Sequence, residues 1–136
     1  GDRVRQRQVV DAFLAAIRAG DLQALLAVLD PEAVLHIDAA SRAQRADRTG
    51  DHAVDPGKHR ELRGPSTWAA QMIAMTRGVP NRFAEVVAID GTVGVILAPR
   101  GALVRALAFT FKDGRIARIE SIADPARLGQ LEIAVL

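Results

Sequence analysis

The 136-residue sequence predicts an α+β domain, with helices grouped in its first half and an antiparallel sheet in its second. Apolar residues recur at helical spacing along segments that precede residue 80. Two Asp-Gly pairs after residue 80 are typical of tight turns between antiparallel strands. The length suits one hydrophobic core, so we expect residues 1–136 to form a single domain.

Two helices and a strand are predicted in the first forty residues. The apolar face of the first helix consists of residues at intervals of three and four: Val10, Phe13, Leu14 and Ile17. Gly20 is the residue expected just past its end. Leucines repeat the same spacing over 22–29, and Asp30-Pro31 is expected to end this second helix, because proline disfavours helix at the preceding residue. Ala33–Asp38 is short, apolar and partly β-branched, which predicts a strand.

Residues 41–63 break this pattern, because they are polar and rich in both signs of charge. A segment of this length without regular structure is uncommon inside a compact domain. We therefore predict that it is either a mobile lid or a disordered insertion.

A third helix is expected to begin at Gly64-Pro65, since proline is tolerated at the first helical position. Trp68, Met72 and Met75 share one face of this helix. They belong either to a core between helix and sheet or to the wall of a ligand pocket, for which methionine is adaptable. Phe109, on the bulky face of a later strand, is a further candidate for that wall.

The second half of the chain reads as strands joined by turns. Asp90-Gly91 and Asp113-Gly114 predict hairpins, and Pro99-Arg100-Gly101 predicts a looser turn. These turns divide the segment into a meander of four strands, at about 82–89, 92–98, 102–112 and 115–123. Asp124-Pro125 is expected to cap a last short helix that ends near Leu131. The apolar tail "LEIAVL" is expected to pack either on its own sheet or on a neighbouring domain.

The order of elements, with "FLAAIRAGDLQALLAVLDPEAVLHID" and "ALAFTFKDGRIARIESIADPARL", resembles the SnoaL-like branch of the NTF2-like superfamily. That fold is a cone, in which a curved antiparallel sheet wraps around three helices and leaves a cavity at the wide end. "QVVDAFLAAIRAGDLQALLAVLDPEAVL" and "IADPARLGQLEIAVL" are also similar to the carboxy-terminal domain of SigJ-type extracytoplasmic-function sigma factors. This resemblance implies a regulatory domain that contacts the sigma DNA-binding domains of the same polypeptide and, through them, RNA polymerase.

Two motifs of that family have counterparts in this chain. The family often carries Asp-Gly-Gly-Gly-Lys after the first strand, where this chain has Asp38-Ala39-Ala40-Ser41-Arg42. The family's Asn-Pro-Asp-Lys-Leu corresponds to Asp124-Pro125-Ala126-Arg127-Leu128. The resemblance implies an interdomain contact formed by six residues of these motifs: Asp38, Arg42, Asp124, Pro125, Arg127 and Leu128.

A rival hypothesis is a cofactor-free cavity enzyme, such as a cyclase, isomerase or hydrolase. His36 and Asp38 fall on one face of the predicted strand, because side chains alternate along a strand. If that face lines the cavity, burial raises the pKa of Asp38, which then serves as a general base beside His36. If Leu35 and Ile37 face the core instead, both polar residues lie at the rim or in solvent. The chain has no Tyr to stabilise an oxyanion, which weakens the enzymatic hypothesis.

Arg105, Arg118 and Glu120 are further candidates, since an Arg–carboxylate pair activates water in epoxide-hydrolase members of the superfamily. A solvated cross-strand ion pair has the same pattern, and we favour that interpretation. A third hypothesis is a sensor whose cavity binds a small apolar ligand without any chemistry.

Composition limits the other classes of function. The net charge is only +2, which gives no reason to expect direct nucleic-acid binding. The absence of Cys and the spacing of the three His predict no metal site, and we expect no cofactor. No apolar run approaches the roughly 20 residues that span a bilayer, so we expect a cytoplasmic protein without a membrane segment. The start without Met is expected of a fragment, and the resemblance implies that the exposed sheet can pair into a homodimer.

Overall fold

A computed structural model describes residues 2–41, 60–76 and 84–136 of the chain. The helices are α1 (Asp2–Ala19), α2 (Leu22–Ala27), α3 (Pro65–Thr76) and α4 (Pro125–Gln130). The strands are β1 (Leu29–Ile37), β2 (Arg60–Arg63), β3 (Ala84–Ile89), β4 (Thr92–Leu97), β5 (Arg105–Lys112), β6 (Arg115–Ile122) and β7 (Ile133–Ala134). Residues 39–41 are helical, and Pro99–Gly101 form a 3-10 turn. Helices come first and a strand meander follows, which confirms the predicted α+β class.

The strands form one curved sheet in the order β2-β1-β6-β5-β4-β3-β7. The predicted meander is confirmed, because β3, β4, β5 and β6 are antiparallel neighbours in chain order. The pair β1–β6 is parallel, with Leu35 opposite Ile119 and Ile37 opposite Ser121. This pair brings the end of the first strand beside the end of the last strand of the meander.

Both predicted hairpins turn on positive backbone angles. Asp90 and Gly91 have φ of 50° and 85°, and Asp113 and Gly114 have φ of 52° and 78°. Two successive positive φ values define the tight turn that matches the twist of antiparallel strands, and Asp-Gly adopts it at low cost.

The main core lies between α1, α2, α3 and the inner face of the sheet. Phe13 of α1 contacts Phe109 of β5 edge to face, with ring centroids 5.4 Å apart. Trp68 of α3 is buried, and its indole N–H donates to the carbonyl of Ala33 (3.3 Å). A second cluster covers the outer face, where Leu128 of α4 packs with Ile122 and Val87.

The predicted boundary between the second helix and the first strand was wrong. The helix ends at Ala27, and β1 runs from Leu29 through Asp30 and Pro31. The pairing of β1 with β6 is irregular between Leu29 and Val34, so Pro31, which has no N–H to donate, lies where the ladder is interrupted. Asp30 instead accepts a hydrogen bond from the amide of Glu32 (2.9 Å).

The prediction of irregular structure over 41–63 was wrong at its end, where β2 pairs antiparallel with β1. Leu62 of this edge strand packs against the core, so the apolar residue of the charged segment faces inward. Residues 42–59, including Arg42, His52 and His59, lie outside the described part of the chain.

The apolar tail packs on its own sheet. Ile133 and Ala134 pair with Ile89 and Ala88 of β3. Glu132 and Asp90 hold this edge by two hydrogen bonds of 2.8 Å. None of the described helices is long and apolar enough to cross a membrane.

Candidate functional site

The carboxylate of Asp38 joins the end of β1 to the corner between β6 and α4. Its Oδ1 accepts from the amide of Ser41 (2.7 Å), so Asp38 caps the helical residues 39–41. Its Oδ2 accepts from the amides of Ala123 (2.9 Å) and Asp124 (3.1 Å). Asp38 is only 5% exposed, so these hydrogen bonds lie in the interior.

Burial by itself raises the pKa of the Asp38 carboxyl. Hydrogen bonds from the Ser41 amide and hydroxyl and from the amides of Ala123 and Asp124 lower it, and together they outweigh the effect of burial. The resulting pKa is below the ordinary value of an aspartate. A carboxylate with a lowered pKa is a weak base, and Asp38 is not part of the cavity wall described below. The geometry therefore argues against Asp38 as a general base.

His36 and Asp38 do not form the pair that their spacing predicted. Leu35 and Ile37 face the interior, so His36 lies on the opposite, outer face of β1. There it is in register with Glu61 of β2 and Glu120 of β6. The strand ends at Ile37, and the carboxylate of Asp38 then turns into the β6–α4 corner, which separates the two side chains.

The outer face carries an ionic network in place of a catalytic Arg–carboxylate pair. Glu120 accepts from Arg118 (3.4 Å) and from Arg127 of α4 (3.3 Å). Arg118 also lies 3.7 Å from Glu61 of β2. These side chains are partly exposed and are not part of the cavity wall, so the interpretation as a solvated ion pair fits the structure.

Three buried polar residues of the described chain, Asp38, Ser41 and Ser121, form one hydrogen-bonded cluster. The hydroxyl of Ser41 is 3.1 Å from both the carbonyl and the hydroxyl of Ser121. The amide of Asp38 donates to the same Ser121 carbonyl (3.2 Å). Sequence reasoning missed both serines. The one available signal was the alternation of β6, which places Ser121 on the same face as the buried Ile119.

Inside the cone, an apolar cavity of about 110 Å³ lies between the helices and the sheet. Its polar wall is small and includes Arg105 and Ser121. The apolar wall comprises Phe13, Leu14, Ile17, Leu35, Ile37, Leu62, Trp68, Met72, Ala84, Val95, Leu97 and Leu107.

Of the predicted pocket residues, Trp68 and Met72 line this cavity. Phe109 does not, because its ring packs between Phe13 and Phe111 in the core. The side chain of Met75 lies outside the described residues.

The second predicted contact motif forms the start of α4 and one wall of a surface groove. Asp124 is the N-cap residue, but its side chain makes no capping hydrogen bond. Pro125 and Arg127 are exposed, whereas Leu128 is buried in the second cluster and fixes α4 to the sheet. An apolar groove beside them is lined by Leu103, Val104, Ala123, Pro125, Leu128 and Gly129.

No three His, Asp or Glu side chains within residues 2–41, 60–76 and 84–136 are grouped so that they could hold a metal ion.

The chain has the SnoaL-like, NTF2-like fold, as its architecture and its similarity to solved structures of this kind show. One similar structure is SigJ, an extracytoplasmic-function sigma factor of Mycobacterium tuberculosis, with a TM-score of 0.66 and 20% identity. The match covers 91% of this chain, which spans 44% of the SigJ chain.

Other similar structures match over almost their whole length. A SnoaL-like protein of unknown function from Burkholderia thailandensis has a TM-score of 0.57 and 19% identity, over 88% of this chain and 95% of that one. TerC, co-crystallised with polyporic acid, has a TM-score of 0.55 and 17% identity, over 93% of this chain and 96% of that one. No protein-family model matches the sequence, and no curated protein matches it significantly.

Proposed function

We propose that this chain is the regulatory domain of an alternative, extracytoplasmic-function sigma factor. The observation that carries the proposal is the similarity to SigJ, which covers 91% of this chain but only 44% of the SigJ chain. The chain is thus similar to one portion of a longer sigma factor. Because sigma factors act on RNA polymerase, the proposal places the protein in the cytoplasm.

In this proposal, the exposed start of α4 contacts the sigma DNA-binding domains of the same polypeptide. Asp124 presents a carboxylate that is not used for capping, and Arg127, three residues later, presents a guanidinium on the same surface. The adjoining groove adds apolar surface between Leu103 and Pro125. Arg42, which the family motif also implicates, follows directly after the buried Ser41.

Asp38 contributes to this surface indirectly. Its carboxylate is buried, and it fixes the backbone amides of Ala123 and Asp124 where α4 begins. A partner therefore meets a pre-organised surface, which reduces the entropy lost on contact. A regulatory domain needs only a few kcal/mol of differential contact between two arrangements of its neighbours to bias them.

The first test is the complete open reading frame that encodes this chain. The proposal predicts sigma DNA-binding regions in the same polypeptide. A complete frame without such regions contradicts it.

The second test measures promoter binding and transcription in vitro with the full-length sigma factor. Asp124→Ala combined with Arg127→Ala is expected to change promoter affinity several-fold, because 1.4 kcal/mol of lost contact corresponds to about tenfold. The charge-matched control is Asp11→Ala with Arg18→Ala, which removes one acid and one base from the exposed face of α1. Equal promoter binding by both double variants and the wild type would remove the interface from the proposal.

A small-molecule sensor is the second candidate, and the apolar cavity between the helices and the sheet is the observation that favours it. The cavity is smaller than the roughly 300–1,000 Å³ of sites for drug-sized ligands. A thermal-shift screen with small lipophilic compounds tests it, since a ligand at one hundred times its Kd adds about 2.7 kcal/mol of stability. The sensor and the sigma-factor domain are compatible, whereas the enzyme hypothesis loses its base through the lowered pKa of Asp38.

A further inference from the structure

Ser121 belongs both to the cavity wall and to the buried polar cluster. It lies on β6 opposite Ile37, and both residues line the cavity. Ser121 is only 6% exposed, so its hydroxyl is in an environment where a hydrogen bond to a ligand would be desolvated and therefore strong. Arg105 lines the same wall and reaches the carbonyl of Ser41 at 3.5 Å.

The Ser121 hydroxyl can donate its hydrogen bond either to Ser41 or to another acceptor. The two serine hydroxyls are 3.1 Å apart, and either can donate to the other. The hydroxyl of Ser41 can also donate to the Ser121 carbonyl (3.1 Å). Whenever Ser41 is the donor, to the Ser121 carbonyl or to the Ser121 hydroxyl oxygen, the Ser121 hydroxyl is able to donate elsewhere, because a hydroxyl has one proton and rotates to suit its acceptor.

The remaining wall of the cavity sets the character of a ligand. Leu35, Trp68 and Leu107 present apolar surface, which favours an apolar body of limited size. An apolar cavity of about 150 Å³ binds benzene in another protein. The cavity here is smaller but is partly open, so a single ring with one short substituent is the largest ligand expected.

We propose that this cavity binds a small apolar molecule with one hydrogen-bond acceptor, which Ser121 recognises, and that the cluster of Ser121, Ser41 and Asp38 transmits its occupancy to α4. The inference deepens the proposed function, because it assigns a regulatory ligand to the domain whose α4 surface contacts the sigma domains. Binding itself does not depend on that function.

The route of transmission is a continuous set of hydrogen bonds. When Ser121 donates its hydroxyl hydrogen bond to a ligand, it no longer donates to Ser41. The Ser41 hydroxyl then becomes the donor, either to the Ser121 hydroxyl oxygen or to the Ser121 carbonyl, which already accepts from the amide of Asp38. Ser41 and Asp38 are joined by the bond from the Ser41 amide (2.7 Å). The same carboxylate holds the amides of Ala123 and Asp124, so a shift of Asp38 moves the start of α4.

The experiment uses the 136-residue chain and two ligands of the same shape, acetophenone and α-methylstyrene. They differ in a carbonyl oxygen that is replaced by a methylene group. Affinities are measured by NMR titration for the wild type and for Ser121→Ala. We expect the ratio of the two dissociation constants to change about fivefold in favour of the hydrocarbon when the hydroxyl is removed, as the loss of one hydrogen bond predicts.

Two control variants keep this result interpretable. Ser66→Ala removes a hydroxyl from an exposed position of α3 and is expected to leave the ratio unchanged. Ser121→Thr retains the hydroxyl and is expected to preserve the preference for acetophenone. Ser41 keeps the Ser121 carbonyl as an acceptor in Ser121→Ala, so this variant is expected to fold.

The second readout is the amide resonances of Ala123 and Asp124. Acetophenone is expected to shift both in the wild type, and neither in Ser121→Ala. An equal ratio in both proteins, no binding of either compound, or binding without shifts at these amides would each overturn the inference. Promoter binding by the α4 surface variants is measured separately, so failure here leaves the test of the sigma-factor function intact.

Discussion

Asp38 and Glu120 are carboxylates close to the same pair of strands, but the chain holds them in different ways. Asp38 is buried and accepts hydrogen bonds from the backbone amides of Ser41, Ala123 and Asp124. Glu120 lies on the outer face, with a side chain 31% exposed, and binds the guanidinium groups of Arg118 and Arg127. Glu120 contacts α4 itself, and Asp38 contacts the two residues that directly precede it.

This difference indicates which of the two carboxylates determines the position of α4. Backbone amides are fixed by the fold, and a buried amide that loses its acceptor retains the full cost of desolvation. Guanidinium groups on long side chains return to water when their partner is removed, so surface ion pairs contribute little. We therefore expect Asp38 to determine the position of α4 and Glu120 to contribute little.

The largest expected effect is that of Asp38→Ala, which leaves two buried amides and one partly buried amide without their acceptor. We expect a loss of about 3 kcal/mol in the free energy of unfolding, measured by urea denaturation. Asp38→Asn retains one carbonyl oxygen and places an NH₂ group against amide donors, so its loss should be slightly smaller. A loss below about 1 kcal/mol for Asp38→Ala would place Asp38 in the same class as a surface carboxylate.

The pH dependence of the free energy of unfolding gives a second test of the contribution of Asp38. The pKa of Asp38 is lowered in the folded state, so the unfolded chain, with a pKa near 3.9, binds this proton more tightly. Its contribution is therefore fully present above about pH 5 and is lost as the pH falls through the folded pKa. Urea unfolding of Asp38→Asn at several acidic pH values should show a shallower decline than the wild type. Ser66→Ala is the control, and an identical slope in Asp38→Asn would contradict the assignment.

The elements that could be predicted from the sequence are those whose conformation is determined by neighbouring residues. Asp90-Gly91 and Asp113-Gly114 carry their turn conformation in two adjacent residues, so the hairpins followed from sequence. The edge strand at Arg60–Arg63 and the parallel pairing of β1 with β6 depend on contacts between distant segments, which periodicity does not contain.

Only some residues of the candidate site were predictable from the sequence, and its geometry was not. The resemblance selected Asp38, but alternation along a strand placed it beside His36, because the strand was extended one residue too far. Ser41 and Ser121 are 80 positions apart, and a serine has no periodic pattern that marks it as buried. Leu128 was assigned to a contact surface by its motif, whereas its apolar character made burial against Ile122 the physical expectation.

The smallest expected effect concerns the ion pair of Glu120 with Arg127. A double-mutant cycle of Glu120→Gln and Arg127→Ala should give a coupling energy of about 0.5 kcal/mol or less in urea denaturation, falling further at high salt. The reason is exposure, since the two side chains are 31% and 43% accessible. A coupling above about 1.5 kcal/mol would mean that this pair holds α4 nearly as firmly as Asp38 does. In that case Arg127→Ala would displace the helix itself, and a change in promoter binding could no longer be attributed to a lost contact with the sigma domains.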